Sequence, residues 1–131
     1  MSSFFSSIRN QVRYFVTSSN VSSENAQKVK DTVESIITTT PVAVFSKSWC
    51  PYCLDAKQTL AKLVPESKMK VLELNQEEFG SAMQAQLAER VGASKVTVPQ
   101  IYINGKLIGG NSDLQQLKSS GKLDALLSAA Q

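Results

Sequence analysis

Lys47-Ser48-Trp49-Cys50-Pro51-Tyr52-Cys53 contains both cysteines of the chain, and the residues on either side say what kind of junction it makes. The run Val42-Ala43-Val44-Phe45 that enters it is apolar and β-branched, as a buried strand requires. Leu54, Lys57, Gln58, Leu60, Ala61, Leu63 and Val64 leave it at helical spacing. The stretch is therefore a strand-to-helix turn. Proline at the first helical position gives up an N–H that has no intrahelical partner, so Pro51 places Cys50 at the N-cap and Cys53 one turn further on.

A thiol at an N-cap faces unpaired helical N–H groups and the positive end of the macrodipole, which favour its anion. A free cysteine with pKa about 8.5 is mostly protonated at neutral pH, whereas helix N-termini and C-x-x-C settings lower the pKa to roughly 3.5–7.5. Lys47 adds a cation three residues before Cys50. The i, i+3 spacing lets Cys53 close a disulfide with Cys50 or resolve a mixed one. Competing readings fit less well. Structural cysteines of a core rarely come as C-x-x-C behind a strand. Structural zinc needs four ligands, and the chain has two cysteines and no histidine. A staple between residues three apart constrains almost no unfolded chain. The dithiol reads as redox chemistry.

Length and composition agree. The chain has 131 residues, 42% of them hydrophobic, enough for one compact domain with its own core. Its net charge of +3 is spread along the sequence, without the clustered basic and aromatic stripe of a nucleic-acid binder. No apolar run approaches the length of a membrane span. A single C-x-x-C with no further cysteine pair fits a compartment that keeps thiols reduced.

Residues 1–23 differ from the rest. They are Ser-rich, carry Arg9 and Arg13 and have no acidic residue, and as a helix they would align Phe4, Ile8, Val12 and Phe15 on one face. That is the pattern of a mitochondrial transit peptide, with Arg13-Tyr14-Phe15-Val16 suited to processing; a disordered tail is the alternative. A mitochondrial location is expected, a cytoplasmic one being the alternative. The next methionine after Met1 is Met69, so internal initiation would lose the dithiol.

The remaining chain, 24–131, reads as one domain. A helix capped by Ser22 or Ser23 should run to about Thr38 with Ala26, Val29, Val33, Ile36 and Ile37 inward, stopped by Thr38-Thr39-Thr40-Pro41. Strand Val42–Ser46, a helix from Pro51 to Val64 and strand Lys70–Leu74 make a βαβ unit with parallel strands. A helix from Phe79 to Val91 follows, its inner face formed by Met83, Leu87 and Val91, and Gly92 ends it. Asn104-Gly105 between Gln100–Ile103 and Lys106–Ile108 marks an antiparallel hairpin. Gly109-Gly110 leads into a helix starting at Asn111 or Ser112, and a last helix, Lys122 to Ala130, should bury Leu123, Leu126 and Leu127.

C-P-Y-C preceded by lysine, then T-V-P at Thr97-Val98-Pro99, an N-G hairpin and G-G-N-S-D-L at residues 109–114, in that order, resemble a dithiol glutaredoxin over residues 24–131. The resemblance implies an α/β, thioredoxin-like fold: a four-stranded mixed sheet of order 2-1-3-4 flanked by helices. It implies a glutathione-dependent thiol-disulfide oxidoreductase with Cys50 as nucleophile and Cys53 as resolving thiol. Its substrates would be glutathionylated proteins and disulfides, and glutathione reductase with NADPH would serve it indirectly. A monomer with neither nucleic-acid nor membrane partners is expected.

Carried over residue by residue, the glutathione site would comprise Lys47, Tyr52, Gln84, Thr97, Val98, Pro99, Gly110, Asn111, Ser112 and Asp113. Val98 would pair with the glutathione cysteine through its backbone, ahead of a cis Pro99. Gly109-Gly110 permits close backbone approach. The helix start at Asn111-Ser112-Asp113 would take the γ-glutamyl carboxylate, and Asp113 the ammonium beside it, alongside ordinary capping. Lys47 and Gln84 would meet the glycine carboxylate, though Gln84 also suits a solvated helix face. Tyr52 would wall the sulfurs or be a plain surface aromatic. Two departures stand out: Val96 precedes T-V-P where a basic or polar residue is usual, with Lys95 one earlier, and Trp49 precedes Cys50.

Two other functions compete. C-P-Y-C in place of C-G-P-C, together with the G-G-N-S-D cradle, speaks against a thioredoxin served by a flavoenzyme. Pro51 speaks against an iron–sulfur carrier in which two Cys50 thiolates and two glutathiones hold a [2Fe–2S] cluster between subunits, where a small residue is more usual. No metal is expected.

Overall fold

The computed structural model describes residues 22–129; the N-terminal extension read as a transit peptide or tail, up to residue 21, and the last two residues lie outside them. Helix α1 (Ser23–Thr39) starts where Ser22 Oγ accepts the Asn25 N–H at 3.2 Å. It buries Val29, Val33, Ile36 and Ile37. Ala26, expected inside, is exposed: among the described residues burial in this helix begins only at Val29, a turn further on. At the other end Thr38 and Thr39 turn their hydroxyls back onto the Glu34 and Ser35 carbonyls, and Pro41 prevents continuation.

Strand β1 (Val42–Ser46) is buried throughout and is the spine of the molecule. It pairs in parallel with β2 (Met69–Glu73) on one side and antiparallel with β3 (Gln100–Ile103) on the other, and β4 (Lys106–Gly109) closes the order 2-1-3-4. Successive side chains point to opposite faces, so β1 serves two cores. Ala43 and Phe45 meet Tyr102, Met83, Leu87 and the α1 side chains. Val42 and Val44 meet Ala56, Leu60, Ile101, Ile103, Leu114 and Leu123. The Phe45 and Tyr102 rings pack edge to face, 6.1 Å between centroids.

Helix α2 (Pro51–Leu63) lies against the second core through Cys53, Ala56, Thr59 and Leu60. The helical period is as expected, and on it Leu54 and Leu63 are exposed while Leu60 and the C-cap Val64 are buried. Strand β2 starts one residue earlier than expected, and Leu74 is buried by the 3-10 turn Leu74–Gln76 that follows.

Helix α3 (Gly80–Val91) buries Ala82, Met83, Leu87 and Ala88, and closes on Gly92 at φ 73°. Val91, expected inside, is exposed because it occupies the last turn, at the Gly92 cap. Gly80 abuts the Leu74 carbonyl so closely that a Cβ would collide with backbone. Gly80→Ala should therefore destabilise the fold by about 1–3 kcal/mol, read as a lower denaturant midpoint at unchanged slope.

The hairpin turns through Asn104 (φ 53°) and Gly105 (φ 83°), both left-handed, as the Asn-Gly pair demands. Helices α4 (Asn111–Ser119) and α5 (Lys122–Ala129) complete the second layer through Leu114 and Leu123, with Leu127 packed beside them. Leu126, expected inside, lies off the Leu123–Leu127 stripe and is 36% exposed.

Candidate active site

The C-terminal ends of β1 and β2 lie side by side, and the loop from Lys47 to Trp49 springs from the first of them. Register pairs Ser46 with Glu73, so Asn75 falls opposite Ser48. Its Oδ1 accepts the Ser48 N–H at 3.0 Å and its Nδ2 donates to Ser48 Oγ at 2.7 Å, which pins the loop. Cys50 follows as the N-cap of α2 in extended conformation, with Pro51 in the first helical turn. The Leu54 N–H donates to the Cys50 carbonyl at 3.0 Å, the first bond of the helix.

The two thiols have different environments. Cys50 is 7% exposed, whereas Cys53 is fully buried. Burial pushes the Cys50 pKa up, but the Cys53 backbone N–H, the Cys53 thiol, the Tyr52 N–H and the Lys57 charge outweigh it, so Cys50 lies below an ordinary thiol. Burial pushes Cys53 above the ordinary value and prevails over hydrogen bonds from the Lys47 N–H and the Ser46 hydroxyl. The site therefore moves the two thiols in opposite directions, Cys50 towards its anion and Cys53 away from it.

Lys57, not Lys47, is the cation that acts on Cys50. The Lys47 ammonium stands over the Trp49 ring, 5.8 Å from its centroid, which turns it from the sulfur; its backbone N–H is what reaches Cys53, at 3.4 Å from Sγ. Lys57 Nζ is held by Glu73 Oε2 at 2.7 Å. Lys57→Met should therefore raise the Cys50 pKa, since it removes a stabilising cation and leaves Glu73 uncompensated. The check is the pH dependence of iodoacetamide alkylation, whose midpoint should move upward.

Across from Cys50, the Val98 carbonyl oxygen lies 3.9 Å from its sulfur, and the Val98–Pro99 bond is cis. Gln84 braces this loop from α3, its Nε2 donating to the Val96 carbonyl at 2.8 Å, so that N–H is engaged within the protein. The Thr97 carbonyl accepts from Gln100 Nε2 at 3.1 Å. Gly110 comes beside the same loop: a Cβ there would lie 3.6 Å from the Pro99 oxygen. Cys50, Val98, Pro99 and Gly110 therefore lie side by side, Val98 and Gly110 half-buried and Pro99 and Cys50 nearly covered. Exposed Trp49 and Tyr52, each 68% accessible, flank the cysteine end.

The glycine strap is fixed from both sides. Asp113 Oδ2 accepts the Gly110 N–H at 3.1 Å, so this carboxylate caps α4. Asn111 Nδ2 donates to Asp55 Oδ2 at 2.9 Å, while Gln115 Nε2 donates to Asn111 Oδ1 at 3.1 Å and to Thr59 Oγ1 at 2.9 Å. These bonds tie the strap to the helix that carries the cysteines. Ser112 is exposed at the same helix start. Asn75, Asp55 and Thr59 escape a sequence reading because their partners are distant in the chain, as does the bond from Gln115 to Thr59.

A buried thiol and an acidified one in the first turn of a helix, behind the central strand of a mixed sheet with a cis-proline loop opposite, define a thioredoxin-fold dithiol. The glutaredoxin family model matches residues 42–108. Glutaredoxin-1 of Saccharomyces cerevisiae is 50% identical over 109 residues, spanning 82% of this chain and 94% of that protein. Among solved structures, a buckwheat glutaredoxin–glutathione complex aligns with TM-score 0.73 at 31% identity, over 82% of this chain and 94% of that one. Wheat glutaredoxin aligns with TM-score 0.71 at 41% identity, over 79% and 93%. The chain belongs to the glutaredoxin family and is a thiol oxidoreductase.

Proposed function

We propose that this protein uses glutathione to reduce protein–glutathione mixed disulfides by a monothiol route, and protein or small-molecule disulfides by a dithiol route. The observation that carries the reading is the asymmetry of the thiols: Cys50 acidified at the end of α2 beside the Val98–Pro99 loop, Cys53 buried behind it. In the monothiol route the Cys50 thiolate attacks the glutathione sulfur, the mixed disulfide breaks and the protein leaves as a thiolate. Cys50 now carries glutathione. A second glutathione thiolate attacks the bound glutathione, freeing Cys50 and forming glutathione disulfide, which glutathione reductase and NADPH return to the thiol. In the dithiol route Cys53 attacks Cys50 in a mixed disulfide, releasing the substrate thiol and leaving a Cys50–Cys53 disulfide for glutathione to reduce.

The line of residues from Val98 to Gly110 suits an extended tripeptide. Val98 supplies backbone beside the attacked sulfur, and the free N–H groups at Asn111 and Ser112 suit the γ-glutamyl carboxylate. Lys47, Tyr52 and Gln84 would border the glycine end, with Thr97 and Asp113 shaping the loop and strap. The buckwheat relative, solved as a glutathione complex, supports glutathione as the ligand. We place the protein in mitochondria on the pattern of residues 1–23, which a reporter fused to that segment and offered to isolated mitochondria would test.

The experiment for the activity is reduction of a glutathione mixed disulfide by the purified protein with glutathione, glutathione reductase and NADPH, read as NADPH loss. Turnover that needs glutathione supports the proposal. Turnover served only by a flavoenzyme thioredoxin reductase overturns it.

A further inference from the structure

Between the Gly92 cap of α3 and the start of β3 the chain has no regular structure, and among the described residues no backbone–backbone hydrogen bond reaches residues 94–99. Two side-chain amides hold its carbonyls instead. Gln84 Nε2 donates to the Val96 oxygen at 2.8 Å and Gln100 Nε2 to the Thr97 oxygen at 3.1 Å. Gln84 comes from α3, whereas Gln100 opens β3 and reaches back over its own loop. The Val96 and Val98 side chains anchor the loop to the first core, so what the amides add is the direction of its peptide groups.

Gln100 holds its place at a cost. It is 8% exposed, and among the described residues its buried Oε1 has no hydrogen-bond partner. A buried acceptor left unpaired costs more than one amide hydrogen bond returns, so an apolar residue would serve packing better. The amide is accounted for by its one bond, to Thr97. That bond has a geometric consequence. The Thr97 carbonyl and the Val98 N–H belong to one planar trans peptide unit and point in opposite directions. With the carbonyl held on the Gln100 amide, the Val98 N–H turns away from Gln100, and among the described residues it donates to no group of the chain. The Val98 carbonyl oxygen, on the next unit, lies 3.9 Å from Cys50 Sγ. An aimed donor therefore stands within one residue of the reacting sulfur.

We infer that Gln100 is a positioning residue for the reaction: by holding the Thr97 carbonyl it aims the Val98 N–H at the backbone carbonyl of the cysteine in the glutathionyl group that Cys50 attacks. The inference rests on the glutathione site proposed above, in which Val98 lies beside that cysteine. Water would satisfy the carbonyl of exposed Thr97 in place of the amide, but it would not fix the direction of the peptide unit. Gln100 therefore supplies orientation. It acts through the peptide unit and not on the sulfurs, since it is not among the groups that set the acidity of Cys50.

The test compares wild type with Gln100→Met, which keeps an unbranched side chain and removes the donor. Reduction of a glutathione mixed disulfide should lose about tenfold in kcat/KM, the size of one aligned hydrogen bond. Iodoacetamide alkylation of Cys50, which involves no glutathione, should keep its rate and its pH midpoint. The melting temperature should be unchanged or higher, because the unpaired acceptor is gone. Nuclear magnetic resonance reads the peptide unit directly, in protein carrying glutathione on Cys50 with Cys53→Ser to preserve the adduct. The Val98 amide proton should shift downfield when glutathione is attached, and most of that shift should vanish when Gln100→Met is added. An unchanged kcat/KM, or a Val98 shift that survives Gln100→Met, overturns the inference. So does a loss of kcat/KM matched by slower alkylation or a lower melting temperature, which would make Gln100 a structural brace. If wild type reduces the mixed disulfide but shows no Val98 shift, the activity stands and the inference falls. If wild type has no such activity, the proposed function itself fails and the inference with it.

Discussion

Cys50→Ser is expected to lower glutathione-dependent turnover by roughly three orders of magnitude or more, to the level of uncatalysed exchange. The reason lies in what the site does for a sulfur and cannot do for an oxygen. The Cys53 and Tyr52 N–H groups, the Cys53 thiol and the Lys57 charge bring Cys50 below an ordinary thiol despite burial. A serine hydroxyl starts far less acidic than a thiol and stays protonated in the same field. It therefore presents no anion to attack a disulfide. Cys53→Ser should behave differently. Its hydroxyl can still receive the Lys47 N–H and still donate to the Cys50 thiolate, so the acidity of Cys50 should survive. Mixed-disulfide reduction should stay within a few-fold of wild type, while reduction of a protein disulfide, which needs the second thiol, should be lost. Parallel assays of a glutathione mixed disulfide and a protein disulfide separate the two. Full activity of Cys50→Ser, or loss of both activities in Cys53→Ser, would overturn the assignment of roles.

How far the site is legible in the sequence depends on whether local chemistry or tertiary register decides each feature. Pro51 and the strand before it are local, so the placement of Cys50 at a helix start follows from the order of residues alone. Asn104-Gly105 is equally local, because only left-handed backbone closes so short a hairpin. The inner face of α2 is not. Cys53, Ala56 and Thr59 lie inside while Leu54 and Leu63 face solvent, and which side of the helical period turns inward depends on the sheet it packs against. Ala26, Val91 and Leu126 fail for a related reason: periodicity marks a face, but not where the neighbour that covers it ends.

The electrostatics around the thiols depend on register in the same way. A strand starting at Lys70 leaves the position of Glu73 open by one residue, which would turn it to the other face. In the fold β2 begins at Met69, pairs Glu73 with Ser46 and so brings a carboxylate onto the Ser46 hydroxyl and against Lys57. Neither Lys57 nor Glu73 carries a motif that marks it. Lys47 does belong to a motif, yet its ammonium is captured by the adjacent Trp49 ring, a rotamer choice that spacing cannot express.

The second large effect is expected at Gly109, where Gly109→Ala should raise the KM for glutathione more than tenfold and also lower stability. Gly109 adopts φ 121°, a region that side chains rarely enter, and a non-glycine residue held there costs about 1–3 kcal/mol. Its added Cβ would also run into the Asp113 carboxylate, which is fixed because it caps the Gly110 N–H. The chain can relieve both only by moving the strap, and the strap is what lies beside the Pro99 carbonyl on the proposed glutathione surface. Displacements of about 1 Å in a positioned site can cost on the order of a hundredfold in rate. A second substitution divides the causes. Asp113→Ala alone should weaken glutathione use by loosening the cap, with little change in the Cys50 pKa, since Asp113 is not among the groups that set it. In Gly109→Ala with Asp113→Ala the collision is gone and the backbone strain remains, so the stability loss should be smaller than the sum of the single losses. Thermal melts and KM measured on all four proteins provide that cycle. Additive losses would mean that the carboxylate and the strap act independently, and an unchanged KM in Gly109→Ala would place glutathione elsewhere than against this turn.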